Sequence, residues 1–331
     1  MTAPRRVVCV GRFQPPTARH LACIDAALGA ADEVVVVIGG AEAPRAVSNP
    51  WFAEERADMI RACFPRAGAR LDVLALRDVA YDDARWARTL RARLAGHPPA
   101  MTGVMPCARR DIAAYAELFP DWAPIAPPPA IADDEDFAIM LFEAGALTAA
   151  LAARLPAMLR ERIAQDLAKP AFQALAAEWA HVRDYRASWR AAPFPPIFVT
   201  VDAVVTHGEA VLLIRRGRRP GLGLSALPGG FVDPGETLFD SALRELAEET
   251  GIALGTGALV ATRVFDAPHR SLRGRTITHV FRFDLPPELE PPRVVGGDDA
   301  AAAHWVALSE VDPGEMFEDH YAILQIMLGI D

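Results

Sequence analysis

Glu245, Glu248 and Glu249 stand at i, i+3 and i+4. On a helix that spacing puts all three on one face. Carboxylates so close repel one another unless a cation lies among them. Hard divalent ions such as Mg²⁺, with Mn²⁺ as an alternative, take oxygen ligands of this kind and share them with substrate phosphates. A second constellation is Gly11-Arg12-Phe13-Gln14-Pro15-Pro16-Thr17-Ala18-Arg19-His20, which follows directly on an apolar run. A tight turn after the first strand of a parallel sheet faces a helix N-terminus, where phosphates bind. A third is the basic run Arg270-Ser271-Leu272-Arg273-Gly274-Arg275 in an acidic chain. Arginine keeps its charge and grips phosphate through two parallel hydrogen bonds, so Arg270, Arg273 and Arg275 are candidates for a phosphate-bearing ligand. Arg215 and Arg216, ending a strand-like run, are further cations.

These residues need elements to position them. Thr237 and Asp240 have capping-box spacing after Pro234-Gly235, and Gly251 stands where a left-handed residue closes a helix. Leu238, Ala242, Leu246 and Thr250 follow the helical period and predict the inward face. Towards the N-terminus, apolar runs at 6–10, 32–38, 71–76 and 101–105 alternate with helical patterns at 18–30, 52–64, 82–95 and 111–118. Alternation with fully apolar strands predicts a parallel α/β sheet covered on both faces. Residues 138–190 read as helical, with a break near Lys169-Pro170. After Pro193-Phe194-Pro195-Pro196 come strand patterns at 197–205, 210–216, 258–266, 275–285 and 303–307, and a last helix at 319–329. The expectation is an α/β chain of two domains, 1–190 and 191–331.

The 331 residues suit two domains, and 52% hydrophobic content supplies cores for both. A net charge of −9 argues against a general nucleic-acid surface. Cys9, Cys23, Cys63 and Cys107 lack metal-ligand spacing and read as reduced thiols of a cytoplasmic protein. The start has too short an apolar run for a signal peptide, and Glu143 and Arg154 interrupt the most apolar helical stretch, so no membrane span is expected. A homodimer is compatible with the sequence.

The segment from Gly230 to Ile252 resembles, at every fixed position, the box that defines Nudix hydrolases: Gly, five residues, Glu, seven residues, Arg-Glu, an aliphatic, any residue, Glu-Glu, any residue, Gly and an aliphatic. The resemblance implies that Glu245, Glu248 and Glu249, with the Gly230 carbonyl, hold the metal and carry catalysis, and that Glu236 and Arg244 tie loop to helix. Gly11–His20 resembles the phosphate-binding motif of nicotinamide mononucleotide (NMN) adenylyltransferases, and Asn49-Pro50-Trp51 with Glu55-Arg56 and Arg109-Arg110-Asp111 fit the same family. Together with Pro220–Gly223, Ala226–Gly230, Gly296–Asp299 and Phe317–His320, the whole chain resembles the bifunctional NMN adenylyltransferase/Nudix ADP-ribose pyrophosphatases. That implies a Rossmann-like nucleotidylyltransferase domain followed by a Nudix domain. It implies cleavage of ADP-ribose to AMP and ribose 5-phosphate. It also implies an NMN and ATP site at Gly11, Arg12, Phe13, Gln14, Thr17, His20 and Arg109.

Two departures weigh on the first site. Arg19 stands where that motif has glycine. In the later segment that should cradle the triphosphate, Glu135 replaces a threonine and Ala138 an arginine, inside the acidic run 133–136. One uncompensated like-charge pair at about 4 Å costs on the order of 4 kcal/mol at an effective dielectric of about 20. That is roughly a thousandfold in affinity. The expectation is a weak or lost adenylyltransferase, with full bifunctionality as the alternative. An ADP-ribose-sensing regulator is the alternative of another class, disfavoured by the intact box.

Overall fold

Strand β1 (Arg6–Gly11) is buried along its whole length, as an unalternated apolar run must be when a sheet is covered on both faces. The computed structural model describes residues 5–95, 101–107, 112–128, 137–287 and 289–330. In it β1 is the centre of a five-stranded parallel sheet of order β3-β2-β1-β4-β5. The other strands are β2 (Glu33–Ile38), β3 (Leu71–Ala75), β4 (Thr102–Pro106) and β5 (Ala123–Pro124). Helices α1 (Ala18–Ala30), α2 (Ala53–Cys63), α3 (Asp83–Arg93) and α4 (Ile112–Leu118) make the connections. Side chains alternate across each strand, so one face gives Val7, Cys9, Val34 and Val36 to a core with Ile24 and Ile60. The other gives Val8, Val10, Val35 and Val37 to a core with Trp86, Leu90 and Phe119. Strand order reverses between β1 and β4, so a crevice opens at the carboxyl ends of these strands.

Four helices follow: α5 (Phe137–Ala144), α6 (Ala149–Ala153), α7 (Ala157–Leu167) and α8 (Pro170–Ser188). The single break expected near Lys169 is present, but two more occur. Gly145, at φ +65°, ends α5 in a left-handed turn, and Pro156 precedes α7. The chain divides into two compact units, one up to Trp179 and one from Ala180. Tyr185 and Trp189, at the end of α8, lie 5.6 and 5.3 Å from the Phe198 ring, and Arg186 Nε donates to the Leu272 carbonyl at 2.7 Å. These contacts bring the end of α8 into the second unit, ahead of the 190/191 boundary expected from the prolines.

The second unit is built on a mixed seven-stranded sheet. Its main path is β10 (Leu259–Phe265), β11 (Arg275–Leu285), β6 (Ile197–His207), β7 (Ala210–Arg216) and β12 (Ala300–Ala307). The short strands β8 (Ser225–Ala226) and β9 (Gly229–Phe231) pair with β7 and β6. Only β11 and β6 run parallel. Helix α9 (Leu238–Thr250) packs Ala242 and Leu246 against Val201, Ala203, Phe281 and Phe283. Helix α10 (His320–Leu328) closes the fold. Among the described residues no helix is long and apolar enough to cross a membrane.

Candidate active sites

At the carboxyl end of β1 the backbone turns tightly. A Cβ on Gly11 would lie 3.1 Å from the Phe13 ring and 3.4 Å from the Cys107 Cβ, so only glycine fits without displacement. Phe13 is buried, with its ring 4.9 Å from that of His20. The Thr17 N–H donates to His20 Nδ1 at 3.0 Å, and Thr17 Oγ1 lies 2.9 Å from the same nitrogen. A neutral His20 ring therefore carries its proton on Nε2.

Gln14, expected to contact a nucleotide, is occupied within the fold. Its amide is buried and bonds the Trp51 N–H (3.1 Å), the Trp51 carbonyl (3.0 Å) and the Asn49 side chain. Phe13, too, packs inward. Arg12 keeps an exposed guanidinium, 61% accessible, 2.6 Å from Asp78. Arg109 and Glu135 lie outside the described residues. Ala138 is buried in α5.

Arg56 is a residue whose role sequence reasoning missed. It is fully buried and donates to the carbonyls of Arg12 (2.6 Å), Gly39 (2.7 Å), Gly40 (3.1 Å) and Phe52 (3.3 Å). Burial lowers its pKa to about 10, with Asp78 opposing. Asp78 accepts from the Gly40 N–H at 3.0 Å as well as from Arg12. Arg56 and Asp78 together fasten the turn after β1 to the turn after β2. Arg56 lies in a stretch the family resemblance picked out, but no pattern in the sequence marks Asp78.

In the second unit, Thr237 Oγ1 caps α9 by accepting the Asp240 N–H at 3.1 Å, and Gly251 closes it at φ +76°. The three glutamates divide across the edge of the helix: Glu245 and Glu249 are buried and Glu248 is exposed. Glu249 accepts the Gly229 N–H at 2.8 Å. The Glu245 carboxylate lies against Gly230, where an added Cβ would come within 2.5 Å of Oε1. Arg244 binds Glu236 through Nε (3.0 and 3.1 Å), and its Nη1 bridges Glu245 (2.9 Å) and Glu248 (3.0 Å). Its Nη2 donates to the Phe231 carbonyl at 3.3 Å. Burial raises the Glu245 carboxyl, with Arg244 opposing and Glu248 and Asp298 adding to the rise. Burial likewise raises Glu249 to about 8, against the Gly229 N–H and helped by Glu245 and Asp202.

Among the described residues, no three acidic, imidazole or thiol groups already converge so as to hold an ion. Two of the three carboxylates are engaged by Arg244 instead. The donor set still fits a hard divalent cation. It consists of oxygen only, and Glu245 and Glu249 are buried carboxyls whose charged form a cation would stabilise. Closing it on an ion requires Arg244 to share Glu245 and Glu248.

The basic run separates into three different residues. Arg270, expected to meet phosphate, is 3% exposed and bonds Asp319 through Nε (3.0 Å) and Nη2 (2.8 Å). Arg275 binds the Asp266 carbonyl and lies 3.7 Å from its carboxylate. Arg273 alone of the three stands by the glycine turn, with its guanidinium carbon 5.3 Å from the Phe231 ring centre. Half-buried Arg216 lies within the fields of Arg273, Glu318 and Glu249. Asp299 pairs with Arg218 at 2.5 Å.

A NUDIX domain model matches residues 196–325, and a cytidylyltransferase-like model matches residues 8–85. The chain is 36% identical over 128 residues to an ADP-ribose pyrophosphatase of Methanocaldococcus jannaschii, covering 38% of this chain and 70% of that protein. It is 33% identical over 119 residues to a nicotinamide/nicotinic acid mononucleotide adenylyltransferase of Acinetobacter baylyi, covering 35% of this chain and 63% of that protein. A crystal structure of a bifunctional NMN adenylyltransferase/ADP ribose pyrophosphatase from Francisella tularensis, complexed with AMP and a manganese ion, is similar over almost the full length. Its TM-score is 0.89 at 30% identity, covering 98% of this chain and 99% of that one.

Proposed function

The chain belongs to the family of bifunctional NMN adenylyltransferase/ADP-ribose pyrophosphatases, and from that membership we propose two activities for it. The second unit hydrolyses ADP-ribose to AMP and ribose 5-phosphate with a divalent cation, Mg²⁺ or Mn²⁺. The first unit joins NMN to the adenylyl group of ATP.

The observation that carries the hydrolase reading is the buried pair Glu245 and Glu249 against Gly229 and Gly230, with Glu248 one turn along at the rim. Glu245, Glu248 and Glu249, with the Gly230 carbonyl, would hold the ion. A divalent cation supplies charge stabilisation at the phosphoryl oxygens and a bound water of lowered pKa. The chain's own residues do the rest. Gly229 aims Glu249 through its N–H. Arg244, anchored on Glu236, fixes the positions of Glu245 and Glu248. Arg273 and Arg216 bring positive charge to the diphosphate. The test is release of AMP from ADP-ribose by the pure protein with and without metal. Glu249→Gln should lower metal-dependent turnover by at least about a hundredfold, by analogy with removing one electrostatic group from an active site, while folding is kept. Unchanged turnover in both Glu248→Gln and Glu249→Gln would overturn the assignment.

For the first unit, the expectation of a weakened site rests on Glu135 and Ala138. The comparisons lend weakness no support, and Glu135 lies outside the described residues. The bifunctional reading is therefore the one we carry. It draws support from the turn Gly11–His20, held by Arg56 and Asp78 at the end of β1. Pure protein with NMN, ATP and Mg²⁺ should form NAD in a coupled assay. No NAD above background would return the weakened-site reading.

A further inference from the structure

Glu318 combines two anomalies. Its backbone is left-handed, at φ +45°, which a side chain other than glycine rarely adopts and which clusters at ligand sites. The neighbouring residues enforce it. The Phe317 N–H is tied to the Ser225 carbonyl (2.8 Å), the His320 N–H to the Phe317 carbonyl (3.0 Å), and the Phe317 ring lies under the Arg216 guanidinium (4.1 Å) and against Gly221. Second, the side chain is 14% exposed and the Ser271 hydroxyl reaches its carboxylate, yet Oε2 is a buried oxygen with no hydrogen bond of its own. Arg273 Nη2 is 4.0 Å away, too far to donate. Buried polar atoms are satisfied in the great majority of cases, so an orphan calls for a reason.

Its position supplies one. Arg273 stacks on Phe231, the residue after Gly230, and Gly230 touches the Glu245 carboxylate. Arg216 is reached by the fields of both Glu318 and Glu249. The orphan oxygen thus lies near the two arginines assigned to the diphosphate in the proposed reaction.

We infer that Glu318 is a specificity-determining residue, whose carboxylate accepts a hydrogen bond from the 2-hydroxyl of one ribose of the nucleotide sugar bound in the second unit. The inference rests on the proposed hydrolase reading. A carboxyl oxygen is a poor neighbour for phosphate and a good acceptor for a neutral donor. The donors closest to a diphosphate in ADP-ribose are ribose hydroxyls, and the adenine amine lies a full sugar further away. Carboxylates take ribose hydroxyls in the same manner in dinucleotide sites.

The experiment is calorimetric binding to the full chain in EDTA, where no metal-dependent turnover intervenes. The ligands are ADP-ribose and its 2′-deoxy and 2″-deoxy analogues. The proteins are wild type, the isosteric Glu318→Gln, and Glu318→Asn, which tolerates left-handed backbone but withdraws the acceptor. Wild type should bind one deoxy analogue about tenfold or more weaker than ADP-ribose, the range expected for a hydrogen bond to a charged group. That discrimination should shrink in Glu318→Gln and vanish in Glu318→Asn. A purely structural role would weaken all three ligands alike and leave the discrimination intact. Intact discrimination in both variants, equal wild-type affinity for all three ligands, or no wild-type binding of ADP-ribose would each overturn the inference. The wild-type comparison decides even if a variant does not fold. Failure of the hydrolase reading is separate: it shows as no AMP release with Mg²⁺.

Discussion

Arg270 and Arg275 stand five positions apart in one basic run, yet removing them has different consequences. Arg270 is buried and locked to Asp319 by two hydrogen bonds. Arg270→Met would leave the Asp319 carboxylate without its partner, and the second unit should lose about 3–5 kcal/mol in urea denaturation. Arg275 is about a third exposed, so Arg275→Met should change the same measurement by less than about 1 kcal/mol. His320 makes a pH prediction. Its Nδ1 accepts the Leu227 N–H at 3.0 Å, and burial pushes its pKa down to about 3 from the ordinary 6.5, with Asp319 opposing. The unfolded chain therefore takes up the proton first. The stabilisation is complete above about 6.5 and is lost as pH falls from there towards 3. Between pH 7 and pH 5 the wild type should lose more stability than His320→Asn, which keeps an acceptor for Leu227 without titrating. Equal slopes for the two proteins in denaturation at several pH values would contradict this.

At the scale of elements, α9 shows how far punctuation reaches. Thr237 as cap, Gly251 as stop and Ala242 and Leu246 as the inward face are all legible in the sequence, because each follows from backbone geometry or helical period. Thr237→Ala should cost about 1 kcal/mol by loss of the cap. Gly251→Ala should cost a similar amount, about 1 kcal/mol, because alanine resists φ +76°. Both are read as a lowered urea midpoint. The division of the three glutamates was not legible: period places them on one face but does not say where the sheet's edge cuts it. Strands β8 and β9 escaped too. They have only two and three residues, and pairing with β7 and β6, not pattern, makes them strands. The helices after β5 read as more continuous than they are, since Gly145 and Pro156 act through turns that an apolar period does not register.

For the whole molecule, each unit has its own sheet and its own cores. The two activities should therefore separate. Glu248→Gln should abolish AMP release from ADP-ribose and leave NAD formation within about twofold of wild type, because each site is built on its own core and distant sites act independently. His20→Ala should do the reverse. The readout is both assays on both variants; loss of both activities in either one would show that the units depend on each other.

The sequence alone determined the alternation of strands and helices, the two-part organisation and the glycine-to-glutamate box, because periodicity, caps and contiguous spacing are local properties of a chain. Only the tertiary structure decided which charged and polar residues were already paired. Arg270 found Asp319, Gln14 found Trp51, and Arg56 found the carbonyls of Arg12, Gly39 and Gly40. Each such partner comes from a distant stretch of chain, and whether a charge is available to a ligand depends on the partner that folding brings to it.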